Sequence, residues 1–488
     1  MCLRLLSGLV VACVCAWGGA RAAERPNVVL IYADDLGYGD IAAQGAEGFA
    51  TPEIDQLGRD GTRFTNFYVA QPVCTASRAA LLTGCYSNRV GLAGALNHTS
   101  DIGIHPGETL LSEVLKSQGY RTAIFGKWHL GHRAAFLPTR HGFDEFFGIP
   151  YSNDNGPLHP VVRDIPSLPM YENDAVVSLD PDQSQFTKLL TARAVKFIEQ
   201  HRDGPFFLYV PHIMPHVPIF ASEAFRGKSE RGLYGDVVQE LDWSVGQIRA
   251  ALKTWKLEQN TWVIFASDNG PFLSYGEHAG SAAILREGKL TTFEGGVRVP
   301  CLMAWPGKIP ANRVCHEPLL TMDLLPTLAR LIGAALPPTP IDGRDAWPVI
   351  SGAANAKSPH EAIGFYSGNE LHAVRSGPWK LHFPHDYLTV AAAPGKDGKP
   401  SNFEKMQPQA ITESGIRGIA SRHGYRVEKL ELSLFHLEQD PGEQTNVAAQ
   451  HPDVVRLLSK LAEGLRADLG DSLSNRVGAG VRPVGKAE

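Results

Sequence analysis

The chain has 488 residues, with 46 Lys and Arg against 51 Asp and Glu, a formal net charge of −5. Its 20% charged and 43% hydrophobic residues are the balance of a folded protein, which excludes a disordered chain, a collagen-like repeat and a multi-span membrane protein. A pI near 6.4 argues against a dedicated nucleic-acid binder, and the length predicts one large domain with a smaller one appended, or two to three domains. Gly (49) and Pro (34) make up about 17% of the chain, which predicts many ordered, function-bearing loops.

Residues 1–22 read as an export signal. Arg4 supplies the positive start, Leu5 to Trp17 an apolar stretch, and Ala20-Arg21-Ala22 a small-x-small cleavage site before Ala23. The stretch is too short to remain as a bilayer span, and no later apolar run is long enough, so no transmembrane segment is expected. Val10-Val11-Ala12-Cys13 also resembles a lipoprotein cleavage box, an alternative that leaves a lipidated Cys13. The mature protein is expected to be exported, periplasmic or secreted. Beyond the signal lie Cys74, Cys85, Cys301 and Cys315, which an exported protein can pair. No Cys-x-x-Cys spacing suggests zinc or redox chemistry.

Four short apolar runs read as buried strands: Asn27 to Tyr32, Arg121 to Phe125, Pro205 to Val210 and Thr261 to Ala266. Between them, Leu110, Leu111, Val114 and Leu115 predict a short helix closed by Gly119. Phe186, Leu189, Leu190, Ala194, Phe197 and Ile198 are expected on one helical face, as are Val237, Val238, Leu241, Val245, Ile248 and Leu252. The alternation predicts an α/β fold, a mostly parallel central sheet with helices on both faces, over residues 23–347. Residues 348–470 change texture. Leu371 to Arg375 and Trp379 to Phe383 read as an antiparallel hairpin, Leu434 to Leu437 as another strand, and Val454 to Leu465 as an amphipathic helix. This predicts a smaller C-terminal α+β domain with an antiparallel sheet, followed by a flexible tail over 471–488.

Each of the four strands runs into residues that do chemistry. The first ends at Asp34-Asp35, the second at Lys127-Trp128-His129, the third leads to His212 and His216, and the fourth to Asp268-Asn269. Ligands of parallel α/β sheets bind outside the carboxyl ends of strands. Asp34, Asp35, Asp268 and Asn269 offer hard oxygen ligands suited to Ca²⁺, or less well Mg²⁺, rather than zinc. Taken singly, Asp-Asp-Leu-Gly and Asp-Asn-Gly are also ordinary turns. Arg78, Lys127, His129, His216 and Lys289 would surround such a metal with positive charge, implying an anionic substrate such as a phosphate or sulfate ester. On residue type alone, His216 is equally a structural histidine and Lys289 equally a solvated lysine. Ser152, His212 and His278 are further candidate substrate contacts. Cys74 opens Cys74-Thr75-Ala76-Ser77-Arg78-Ala79-Ala80-Leu81-Leu82-Thr83-Gly84 at an expected helix N-terminus, where the dipole favours negative charge and lowers a thiol pKa. A cysteine nucleophile, a disulfide half and a buried thiol all remain open on these residues.

Cys-x-(Pro/Ala)-x-Arg followed by Leu-Thr-Gly resembles the type I, formylglycine-dependent sulfatase signature. The resemblance runs from about Asn27 to Val447. It includes Ala33-Asp34-Asp35-Leu36-Gly37, Gly126-Lys127-Trp128-His129-Leu130-Gly131, Pro215-His216-Val217-Pro218, Ser267-Asp268-Asn269-Gly270, Gly288-Lys289 and Asp440-Pro441-Gly442-Glu443. Gly148-Ile149-Pro150-Tyr151-Ser152 gives it an arylsulfatase A-like cast. Ala76 stands where many members have Pro.

The resemblance implies an alkaline phosphatase-like fold and an exported sulfuric ester hydrolase. Cys74 would be converted by a maturation enzyme to formylglycine, leaving three cysteines and at most one disulfide. Asp34, Asp35, Asp268 and Asn269 would hold Ca²⁺ together with residue 74. Arg78, Lys127 and His129 would orient the hydrated aldehyde, while His216 and Lys289 grip sulfate and one of them, His216 by preference, protonates the leaving alcohol. The second hydroxyl of the hydrate would lose its proton to His129 and expel sulfate. Two other readings compete: a phosphomonoester or phosphodiester hydrolase of the same fold, and a non-catalytic exported glycan-binding protein. Specificity is expected in Ser152 to Asp182, Pro271 to Ala283 and His382 to Asp386, with a sulfated glycan preferred over a small aryl sulfate.

Overall fold

The computed structural model describes residues 25–413 and 415–487; the expected export signal and Cys13 lie outside the described residues. In chain order it forms β1 (Asn27–Ala33), α1 (Pro52–Asp60), β2 (Thr62–Tyr68), α2 (Cys74–Thr83), a two-residue β3 (Ile102–Gly103), α3 (Leu111–Ser117), β4 (Arg121–Lys127) and β5 (Glu145–Ile149). The hairpin of β6 (Pro169–Glu172) and β7 (Ala175–Leu179) precedes α4 (Phe186–Gln200), β8 (Phe206–Pro211), α5 (Leu233–Thr254), β9 (Thr261–Ser267) and β10 (Arg298–Ala304). With β11 (Arg313–Cys315) and β12 (Leu319–Leu320), these strands make an 11-stranded sheet of order β11-β2-β10-β9-β1-β8-β4-β5-β6-β7, β12 also pairing with β2.

The centre of the sheet, from β9 through β1, β8 and β4 to β5, is parallel throughout. Every residue of β1 is buried, and its side chains alternate between two apolar layers. Val28, Leu30 and Tyr32 join one layer, Val29, Ile31 and Ala33 the other. A strand covered on both faces reads as an unbroken apolar run, which is why it was legible without alternation. β10 departs from the pattern by running antiparallel to both β9 and β2. Near the carboxyl ends the strands approach closely. Gly126 (φ 141°) is the penultimate residue of β4, where a Cβ would sit 1.8 Å from the Pro211 carbonyl oxygen, so only glycine lets the ends of β4 and β8 approach this closely.

The C-terminal region carries β13 (Ile363–Ser367), β14 (Glu370–Ser376), β15 (Trp379–His382), β16 (His385–Val390), β17 (Tyr425–Leu430) and β18 (Ser433–His436). β13, β14, β15 and β18 form an antiparallel sheet in that order, and β16 pairs with β17. The expected hairpin is β14–β15, with Ser376 opposite Trp379. The helix Pro452–Leu469 packs on it.

The tail differs from expectation. Residues 471–487 do not fray: β19 (Gly485–Lys486) pairs with β3, and Arg482 forks onto Glu108 at 2.7 and 2.8 Å. Asp471 caps the turn that follows it by accepting from Leu473 N–H. A polar, glycine-rich segment looked unanchored because its partners, in the loop at 101–108, lie more than 370 residues away.

Cys74, Cys85, Cys301 and Cys315 are free and buried. Cys301 on β10 and Cys315 on β11 both lie opposite Phe64 of the intervening β2. Two strand spacings, roughly 9–10 Å, separate them, beyond the reach of a disulfide.

Candidate active site

Five segments converge at the carboxyl edge of the parallel strands. β1 delivers Asp34 and Asp35, β4 Lys127 and His129, the loop after β8 His216, β9 Asp268 and Asn269, and the loop before β10 Lys289. α2 starts at Cys74 and carries Arg78 one turn further on. All of these side chains are buried. Asp35 (φ 65°) and His129 (φ 63°) sit in the left-handed region, a conformation that costs on the order of 1 kcal/mol or more and persists where the surroundings impose it.

The charges interlock. Lys127 Nζ lies 2.5 Å from Asp34 Oδ2 and donates to Ser152 Oγ at 3.2 Å. Arg78 closes a fork on Asp268 Oδ2, from Nε at 3.1 Å and Nη2 at 2.8 Å, and its Nη1 donates to the Lys127 carbonyl at 2.9 Å. Lys289 Nζ lies 2.7 Å from Asp35 Oδ1 and over the Phe272 ring at 4.6 Å. Three carboxylates therefore face three fixed cations. Burial alone would lower the Lys289 pKa, but the charges of Asp35, Cys74 and Asp34 raise it. Burial raises Asp35 and Asp268 against the pull of these cations.

Two buried oxygens of this cluster have no hydrogen-bond partner among the described residues: Asp34 Oδ1 and Asn269 Oδ1. The Asn269 amide is oriented because its Nδ2 donates to Asp35 Oδ1 at 2.7 Å and to the Gly270 carbonyl at 3.0 Å. Orphaned buried acceptors are costly, and a hard cation would satisfy both. Asp34, Asp35 and His216 also bring ligand atoms within 4.8 Å of one another, but a hard ion prefers the oxygen set. The all-oxygen donor set fits a hard divalent cation. Added to a neutral cluster, such an ion leaves net positive charge for an anionic ligand.

The two histidines are held neutral. Burial, then Lys289 and Lys127, push His216 well below its usual range; burial and Lys127 do the same to His129. His216 Nδ1–H donates to the Val217 carbonyl at 2.6 Å, so Nε2, 3.7 Å from Asp35 Oδ2, carries the lone pair. His129 Nε2–H donates to the Leu96 carbonyl at 2.8 Å, and its Nδ1 has no partner. Burial raises the Cys74 thiol pKa, outweighing Lys127 and Lys289. A thiolate nucleophile is disfavoured despite the helix N-terminus.

Cys74, His129, Ser152, His216 and Lys289 line one cavity of about 730 Å³. Two expected substrate contacts do not. His212 points into the scaffold, its Nε2 3.1 Å from Ser244 Oγ of α5, because successive residues at a strand end face opposite sides. His278 lies outside this cavity, against Gly398. Of the loops expected to set specificity, only 152–159, Phe272 and Asp386 reach it. The rest of its wall was not anticipated: the loop Gly91 to Ile102, Ser367 to His372 and the helix Ile416–His423. Asp154 and Asn155 were legible in the polar run after Ser152. Arg422 and His423 carried no local signal, since they belong to a helix more than 120 residues from Lys289, the nearest catalytic residue that the sequence marked.

The chain matches the family model described as Sulfatase over residues 26–334, and that of the C-terminal region of aryl-sulfatase over 358–484. It is 44% identical to arylsulfatase A of Bos taurus over 456 residues, covering 88% of this chain and 84% of that one. It is 37% identical to N-acetylgalactosamine-6-sulfatase of Canis lupus familiaris, covering 93% and 87%. Among solved structures, the PsFucS1 sulfatase from Pseudoalteromonas sp. superposes with a TM-score of 0.76 at 27% identity, covering 90% of each chain. The large mixed sheet is thus the alkaline phosphatase-like fold of the sulfatases.

Proposed function

The chain belongs to the sulfatase family and hydrolyses sulfuric esters, and on that premise we propose that it is an exported, calcium-dependent, formylglycine-type sulfatase of sulfated carbohydrates. The observation that carries this reading is the cluster of three carboxylates, three cations and two orphaned oxygens packed under Cys74 at the start of α2. The cavity, at about 730 Å³ and lined by polar residues such as Asn97, Asp154, Asn155 and Arg422, has room and hydrogen-bonding groups for a sulfated sugar. The relative from Canis lupus familiaris is named for a sulfated sugar.

Asp34, Asp35, Asp268 and Asn269 would hold Ca²⁺, whose charge would polarise a sulfate oxygen and acidify a neighbouring hydroxyl. Formylglycine at position 74 would supply, as its hydrate, a hard oxygen nucleophile in place of a buried thiol that resists ionisation. The chain's own groups have separable tasks. Arg78 fixes Asp268 and so the geometry of the metal set. Lys127 neutralises Asp34 and stands beside residue 74. His129 presents its free Nδ1 lone pair as the proton acceptor at that residue. Lys289 carries its proton in the free site, whereas His216 must take one from solvent at Nε2, where the charge of the bound anion stabilises it, before it donates to the leaving alcohol.

The test is a paired assay of nitrophenyl sulfate and nitrophenyl phosphate on protein whose residue 74 is converted. Sulfate release with little phosphate release is expected. Phosphate release at the greater kcat/KM would overturn the reading.

A further inference from the structure

His159 lines two cavities. One is the catalytic cavity; the other is a second basin of about 650 Å³. The same two loops wall both. The loop after β5 contributes Ser152 to the first and Pro157 to His159 to the second, and the loop after β8 contributes His216 to the first and Pro218 to Ala221 to the second. A separation of two to seven residues places the basin within about 25 Å of the reacting centre along the chain, and nearer through space.

The basin is basic and partly apolar. Arg163, Arg226 and Lys399 line it, all exposed, and none has a carboxylate partner among the described residues. Arg163 Nη1 donates only to the His159 carbonyl at 3.2 Å, and Lys399 rests over the Phe403 ring at 4.5 Å. The basin's acidic groups are weak competitors. Asp236 is consumed by the backbone N–H groups of Gly227, Lys228 and Ser229 at 2.7 to 2.9 Å, leaving Asp397 at the rim. His159 itself is fixed as a donor. Its Nδ1 accepts from the N–H groups of Val161 at 3.0 Å and Val162 at 2.9 Å, so the proton resides on Nε2, which has no hydrogen-bond partner among the described residues.

We propose that this basin is an anion-binding subsite for the next sugar of the substrate, with Arg163, Arg226 and Lys399 receiving a second sulfate or a carboxylate and His159 on the wall common to both sites. The inference rests on the carbohydrate reading of the catalytic site and adds to it that the substrate is a polyanionic oligosaccharide rather than a lone sulfated sugar. Guanidinium and ammonium groups without carboxylate partners on the walls of a concavity recognise such anions. His278, which the catalytic cavity does not contain, belongs to this basin.

The experiment compares wild type with the triple variant Arg163→Ala, Arg226→Ala, Lys399→Ala, whose changes are all at exposed positions. Calorimetric Kd values are measured for a 6-sulfated N-acetylgalactosamine monosaccharide and for a sulfated tetrasaccharide alternating that sugar with glucuronic acid. KM and kcat on nitrophenyl sulfate are measured alongside. The expected result is tetrasaccharide binding at least 10-fold tighter than monosaccharide binding in wild type, lost in the triple variant and with a reduced salt dependence. The monosaccharide Kd and the nitrophenyl sulfate constants should stay within about 2-fold. Equal affinity for the two saccharides in wild type, or an unchanged tetrasaccharide Kd in the variant, would overturn the subsite. A wild-type protein inert towards nitrophenyl sulfate would instead overturn the catalytic reading, and the Kd comparison would still decide the basin.

Discussion

Replacing Lys380 with methionine tests how the C-terminal region is fastened to the catalytic sheet. Lys380 on β15 is buried between two carboxylates, 2.9 Å from Glu294 Oε1 and 3.0 Å from Glu443 Oε1. Glu443 also accepts from His382 Nε2 at 2.8 Å and from the Glu294 N–H at 2.6 Å, and Glu294 accepts from Tyr68 Oη at 2.6 Å. Burial pushes Glu443 up, while burial of Glu294 is outweighed by Lys380, Arg298 and Arg375, which hold it low. At an effective dielectric of about 20, each ammonium–carboxylate contact at this distance is worth roughly 5 kcal/mol of attraction. Desolvation offsets much of that, but removing one partner of a buried network typically costs about 3–5 kcal/mol because the others stay buried and unpaired. If all 488 residues unfold as one unit, the entropy scale of about 2 cal/mol/K per residue converts this to a drop in Tm of about 3–5 °C. If residues 358–484 unfold first, the same energy gives roughly 10–20 °C. Thermal melts with limited proteolysis of the C-terminal region separate the two cases. The loss should shrink as pH falls, since protonating the stranded carboxylates relieves their repulsion, and Lys380→Met with Glu443→Gln should recover at least half of it. A single variant as stable as wild type, or a double variant no better than the single, would refute the reasoning.

Peptide mass spectrometry of active protein should find residue 74 without its thiol mass; a fully unmodified Cys74 in a fully active sample would exclude formylglycine. Asp35→Ala should abolish both stoichiometric calcium by elemental analysis and sulfatase activity, whereas stoichiometric zinc in wild type would point to the phosphatase chemistry. His216→Ala should lower kcat by about 10²-fold or more on a sugar sulfate and less on nitrophenyl sulfate, whose alcohol needs little protonation; equal losses would assign the proton to Lys289. Burial raises Asp40 to about 6 despite hydrogen bonds from Tyr234, Ser281 and Gly37. A folded-state pKa above the unfolded value means that the unfolded chain binds fewer protons between about pH 4 and 6, so this group lowers stability as pH rises through that window. The stability difference between Asp40→Asn and wild type should therefore shift in the variant's favour by up to about 3 kcal/mol from pH 4 to pH 7, and a pH-independent difference would exclude the assignment.

The four central strands, the helices between them and the residues at the strand ends were legible because each depends on a local pattern: an apolar run, a helical period, or a polar group at the point where a buried strand must stop. Asp34, Lys127 and Asp268 announce themselves in this way without any knowledge of the pairing. The order of the sheet could not be read so. β10 carries the same apolar residues a parallel strand would, and only its neighbours decide that it runs antiparallel to β9 and β2. His212 and His216 follow the same strand and look alike in sequence, yet one faces Ser244 in the scaffold and the other the cavity. The docking of residues 471–487, the Lys380 cluster and the far wall from Ile416–His423 all join segments separated by 60 residues or more. Such contacts leave no periodic trace, because the energy that fixes them arises only when burial removes water from partners that the chain brings together late.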